Sequence, residues 1–120
     1  MKGYLFLEYP ACSTCRKAKK WLDEQKVNYT DRHIVEERPT CEELKIWFER
    51  SGLPLRKFFN TSGLLYKSMQ LREKLDGMSG EEQLELLASD GKLVKRPLVI
   101  GEDFVLVGFK PEEWEKVLLK

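Results

Sequence analysis

The sequence predicts an α/β fold on a four-stranded mixed sheet, with a βαβ half, a helical insertion at about residues 40–90 and a ββα half. Three observations carry that prediction. An apolar run near the amino terminus leads straight into an amphipathic helical stretch and then into a second run rich in β-branched and aromatic residues. The middle third shows helical spacing opened twice by capping boxes. Near the carboxyl end, two short apolar runs are separated by Gly-Glu-Asp and followed by a helix that begins on proline.

The elements follow in order. Gly3 to Leu7 is apolar, contains aromatics and stops at Tyr9-Pro10, which suits a buried strand ending in a loop. From about Ser13 to Gln25, Ala18, Trp21 and Leu22 fall on one helical face, with Lys17, Lys19, Lys20 and Glu24 left for solvent. Val27 to Val35 reads as a second strand returning beside the first, and two strands joined by a helix make a right-handed βαβ unit. Thr40 and Glu43 form a capping box before Leu44, Trp47 and Phe48; this helix ends at Gly52-Leu53-Pro54. After the loop Asn60 to Gly63 comes a short helical pattern through Tyr66, Met69, Leu71 and Leu75, and Ser79 with Glu82 caps a helix to about Ser89. Asp90-Gly91 is a turn. Pro97 to Ile100 and Phe104 to Val107 then form a hairpin, and PEEWEKVLLK a last helix whose charges match its dipole. A parallel half and a hairpin half sharing one sheet make a thioredoxin-like (glutaredoxin-type) arrangement.

At 120 residues and 42% hydrophobic, residues 1–120 are expected to form a single domain. Twenty-one basic against 20 acidic residues leave a net charge of +1, which gives no footprint for direct nucleic-acid or membrane-surface binding. The amino terminus lacks a signal-peptide pattern, and no stretch approaches the roughly 20 apolar residues of a membrane span. Three cysteines, only two of them close together, do not resemble a secreted disulfide framework, so a reducing, cytoplasmic setting is expected.

Cys12 and Cys15 stand two residues apart in YPACSTCRKAKKWL. Structural zinc needs four soft ligands, and only Cys41 and His33 remain, wrongly spaced; no metal is expected. A purely stabilising disulfide would close too short a loop to remove much chain entropy. A redox role has a mechanism: a cysteine at a helix start meets unpaired N–H groups and the positive end of the dipole, which lower its pKa. Cys12 sits there with Arg16 and Lys17 nearby, and Cys15, a turn further in, is placed to resolve a mixed disulfide formed on Cys12. Two incidental thiols are the alternative.

In VKRPLVIG, Pro97 would open the third strand facing the dithiol, with a cis bond to Arg96 freeing the preceding backbone to pair with a substrate chain. Arg96 could then lend its guanidinium to the Cys12 thiolate or to an oxyanion. The alternative makes Pro97 the start of an edge strand and Arg96 a solvated flank. Ser13 and Thr14, between the cysteines, join Pro97 as candidate substrate contacts. His33 reads as a strand residue away from the motif, and Cys41 as an incidental thiol in a helix's first turn. Trp21, Trp47, Phe48 and Trp114 have core spacing.

PACSTCRKAKKWL, NTSGLLYKSM and RPLVIGEDFVLVGFKPEEW together resemble the ArsC/Spx family, the glutaredoxin-type arsenate reductases and the related Spx and MgsR regulators. The resemblance spans nearly the whole chain. It implies a thioredoxin-like fold, with Cys12 and Arg96 on the family's nucleophile and Arg-Pro positions. The arsenate reductases resemble HNPxCGTS and use further arginines, but here Glu8 takes the histidine's place, Asn60 stands about where the insertion arginine would be, and Phe109-Lys110 offers a lysine at best. These departures disfavour arsenate reduction. The second cysteine resembles the Spx branch, whose CxxC is a thiol–disulfide switch and whose surface contacts RNA polymerase, although that branch's longer tail is absent. The resemblance thus implies a thiol–disulfide redox protein with no bound cofactor, reduced by glutathione or thioredoxin and acting on a disulfide-containing protein, or a switch that binds RNA polymerase.

Overall fold

Alternation along the first strand, β1 (Tyr4–Glu8), sorts its side chains between two cores. The computed structural model describes residues 3–119; Met1, Lys2 and Lys120, the last of which ends the predicted final helix, lie outside the described residues. A helix, α1 (Ser13–Glu24), links β1 to the parallel strand β2 (Tyr29–His33). The insertion follows as α2 (Cys41–Ser51), two short helices α3 (Leu64–Ser68) and α4 (Leu71–Lys74), and α5 (Gly80–Ser89). The chain closes with β3 (Leu98–Ile100), β4 (Val105–Val107) and α6 (Pro111–Leu118). The sheet order is β2-β1-β3-β4, with β3 antiparallel to both its neighbours. The predicted mixed sheet and thioredoxin-like architecture are those observed.

Register explains the two cores. Phe6 pairs with Val99 and Val99 with Leu106, a row that packs with Ala18 and Leu22 of α1 and Trp114 of α6. Leu7, Leu98, Ile100 and Val105 face the other way, onto Leu44 and Trp47 of α2, Phe58 and Phe59, and Leu84 and Leu87 of α5. Helices α1 and α6 thus cover one face and the insertion the other. Trp21 and Phe48, only partly buried, join Trp47 and Trp114 in packing, as their spacing predicts.

Several boundaries differ from the sequence reading. The second strand is shorter than Val27–Val35 because Lys26 adopts φ 58° in leaving α1, and because His33 Nδ1 accepts from the N–H groups of Val35 and Glu36, which turns the chain. The helical pattern after the Asn60 loop is broken at Gln70, φ 56°, into α3 and α4. β1 extends through Glu8, one residue past the predicted Gly3 to Leu7 run, and Glu8 is buried at 3% exposure. Lys19 is not a free surface lysine, since it reaches Glu8 at 3.4 Å and Asp31 at 3.2 Å. Where the insertion returns towards the sheet, Gly91 passes so close to the Ile34 carbonyl that a Cβ would overlap it.

Candidate functional site at the start of the first helix

The chain leaves β1 through Tyr9-Pro10-Ala11 and turns, with the Cys12 N–H donating to the Tyr9 carbonyl at 2.8 Å. Cys12 becomes the N-cap of α1 with extended backbone (φ −89°, ψ 124°), makes no side-chain cap hydrogen bond, and is followed by no acidic residue in the first turn. The positive end of α1 is therefore left to the Cys12 sulfur. The Arg16 N–H donates to the Cys12 carbonyl at 3.1 Å, and the Arg16 guanidinium turns away to the Pro10 carbonyl at 3.0 Å. The cation that acts on Cys12 is Arg96.

The two thiols sit in opposite environments. Partial burial alone would raise the Cys12 pKa, but the main-chain N–H of Cys15, the Cys15 thiol, the Thr14 N–H and the Arg96 guanidinium outweigh it and hold Cys12 below its ordinary value. Cys15 is fully buried, and burial, with the Cys12 charge added, pushes its thiol up to about 12 against the Tyr9 N–H, which approaches the sulfur at 3.5 Å. Arg96 is held in turn: it donates to the Lys92 carbonyl at 3.1 Å, and its guanidinium carbon lies 4.9 Å from the centre of the Tyr9 ring.

The other predicted residues fall as follows. Ser13 and Thr14 are exposed on the first turn of α1. Pro97 is buried just before β3, follows a cis bond from Arg96, and its carbonyl accepts from the Gly108 N–H at 2.9 Å. The edge-strand alternative fails, because β3 lies between β1 and β4. Glu8 makes its ion pair with Lys19 of α1; burial first, then the neighbouring Asp31 carboxylate, push its pKa up to about 7 against the pull of Lys19. Asn60, 8% exposed, is tied into its own loop: its N–H donates to the Leu93 carbonyl at 2.7 Å, its carbonyl accepts from Gly63 at 3.0 Å, and its side-chain oxygen from the Ser62 hydroxyl at 3.4 Å. His33 forms a turn and Cys41 packs against the insertion core. Sequence reasoning missed Tyr9, whose contacts reach residues distant in the chain and leave no local pattern. It could have placed Glu8, which falls two residues after Phe6 and so on the same strand face. Among the described residues no three His, Cys, Asp or Glu side chains are grouped as a metal would require, and no helix is long and apolar enough to cross a membrane.

A thioredoxin-like sheet with a cysteine at the head of its first helix and an Arg-cis-Pro step before its third strand defines the class. Within that class the chain belongs to the ArsC family, whose profile matches residues 7–117. It is 56% identical over 111 residues to the YusI protein of Bacillus subtilis, covering 92% of this chain and 94% of that one. To the regulatory protein MgsR of the same organism it is 32% identical over 115 residues, covering 96% and 90%. The crystal structure of an ArsC-family-related protein from Bacteroides fragilis superposes with a TM-score of 0.93 at 65% identity, covering 97% of this chain and 98% of that one.

Proposed function

We propose that this protein is a thiol–disulfide redox protein in which Cys12 attacks and Cys15 resolves. The observation that carries the reading is the contrast between Cys12, partly exposed and held below its ordinary pKa, and Cys15, buried with a thiol near 12. The Cys12 thiolate attacks one sulfur of a substrate disulfide, an S–S bond forms to that sulfur, and the other leaves as a thiolate. Cys15 then gives up its proton and attacks the Cys12 sulfur, forming the Cys12–Cys15 disulfide and releasing the substrate's second thiolate. Two electrons have passed to the substrate, and glutathione or thioredoxin returns them in a reducing, cytoplasmic setting. Loss of the Cys12 charge in the mixed disulfide removes one of the causes that raise Cys15, so the second attack becomes easier only after the first. Arg96 stabilises the thiolate, and Ser13 and Thr14, exposed on the first turn of α1, serve with Pro97 as the contacts of a substrate chain.

The pH dependence of alkylation tests this, coupled to a redox titration of the pair, in the wild type beside Cys12→Ser and Cys15→Ser. One fast thiol titrating below about 8.5, lost with Cys12→Ser, is expected; slow, ordinary thiols and a pair that will not close would overturn the reading.

Kinship with MgsR favours a second reading, in which the same switch changes affinity for a protein partner such as RNA polymerase without turnover. A pull-down under reducing and oxidising conditions distinguishes them, since only the switch requires oxidation to change the bound fraction. Arsenate reduction is the weakest reading. Glu8, at the position of the arsenate reductases' histidine, is a carboxyl tied to Lys19 and Asp31 that offers no cation to an oxyanion, and Asn60 is occupied by its own loop.

A further inference from the structure

Tyr9 meets this site by three separate routes. Its carbonyl accepts from the Cys12 N–H at 2.8 Å, its N–H points at the Cys15 sulfur at 3.5 Å, and its ring lies under the Arg96 guanidinium at 4.9 Å. The ring is itself packed against His33 of β2 in a T-shaped contact, with centroids 5.9 Å apart and planes at 80°. The main-chain contacts come from any residue at this position, but the ring contact does not. A guanidinium on a flexible stem loses rotamer freedom when it is fixed, and an aromatic face offsets part of that loss by attracting the cation.

We propose that Tyr9 is the positioning residue of this site, its ring holding Arg96 where the guanidinium can reach the Cys12 sulfur. The inference rests on the redox reading above and deepens it. The Tyr9 ring does not touch the reacting sulfur; it acts through Arg96. The ionisable groups that bear on Cys12 are Cys15 of α1 and Arg96 before β3, with the Arg16 guanidinium turned to the Pro10 carbonyl and the Tyr9 phenol in ring contact with His33 of β2.

The test is the pH profile of Cys12 alkylation by iodoacetamide in wild type, Tyr9→Phe, Tyr9→Leu, Arg96→Ala and the Tyr9→Leu/Arg96→Ala double variant, with a thermal melt of each. Tyr9→Phe keeps the aromatic face and is expected to match the wild type. Tyr9→Leu is expected to move the profile to higher pH and slow alkylation near pH 7 by about two- to fivefold, the range a single exposed cation–aromatic contact supports. In the Arg96→Ala background the same change is expected to add nothing. A profile that stays in place in Tyr9→Leu while Arg96→Ala shifts it overturns the proposal. So does an equal effect of Tyr9→Leu with and without Arg96, which would mean the ring works by another route. Should Tyr9→Leu not fold, Tyr9→Met removes the aromatic face with an unbranched chain that adapts to its surroundings and carries the same two outcomes. A wild type with ordinary thiols would sink the redox reading itself, which separates its failure from that of Tyr9.

Discussion

Three helices of this protein begin in two different ways. α2 and α5 each open with a complete capping box, in which Thr40 with Glu43 and Ser79 with Glu82 exchange side-chain and main-chain hydrogen bonds of 2.8–3.1 Å. α1 opens on Cys12 with no cap and no acidic residue in its first turn. Each capped end ties up the N–H groups of its N-cap residue and of the third helical residue. At the uncapped end the N–H groups of Thr14 and Cys15 act on a sulfur instead. The carboxylates divide in the same way: at the start of the insertion, Glu43 is gripped by Arg32 of β2 through two hydrogen bonds of 2.8 and 2.9 Å and lowered to about 2, whereas on the α1 side burial and Asp31 raise Glu8 to about 7. The insertion is arranged for stability, and the β1–α1 junction gives some of it up.

The largest way to break the contrast is Cys12→Ser. Serine is a preferred N-cap, so the variant should lose disulfide exchange to background while gaining up to ~1 kcal/mol of stability; turnover of a model disulfide and a urea melt measure both. Next comes Gly91→Ala, whose Cβ would strike the Ile34 carbonyl and cost about 2–3 kcal/mol. The urea midpoint should fall while the alkylation rate of the folded protein holds. A spread over pH follows for the two carboxyls. Glu8, raised in the folded state, makes stability fall as pH climbs from about 4.3 to about 7. Glu43, lowered, makes it fall as pH drops from about 4.3 towards 2. Glu8→Gln should abolish the first slope and Glu43→Gln the second, read from urea melts at pH 3, 5 and 8. The smallest effects are those of Thr40→Ala and Ser79→Ala, about 1 kcal/mol each, with the Cys12 alkylation profile unchanged.

The features legible in the sequence were those written in neighbouring residues. Both capping boxes, the strand–helix order and the two cysteines at the head of α1 could be read because each depends on spacings of two to four residues. The cis step at Arg96-Pro97 was found by analogy of architecture. What escaped was written across the chain: Tyr9 under Arg96, Arg50 donating to the Gly101 carbonyl at 2.7 Å, and Lys19 gathered between Glu8 and Asp31. No local periodicity announces such pairs. The burial of Glu8 is legible only from strand alternation, which puts it on the Phe6 face, because its charge argues for solvent. The α3–α4 break escaped because Gln70 carries a left-handed backbone without the glycine that usually marks one.

Cys15 is sealed inside while Cys12 meets solvent, and on the proposed chemistry that asymmetry works as a clock. A partner is caught by the outer sulfur at a rate the partner's own concentration sets. Its release waits on the inner sulfur giving up its proton, a step that burial of Cys15 makes slow. The dwell time of the tethered partner is thus set jointly, by the protein's interior and by how readily the partner's own thiolate leaves.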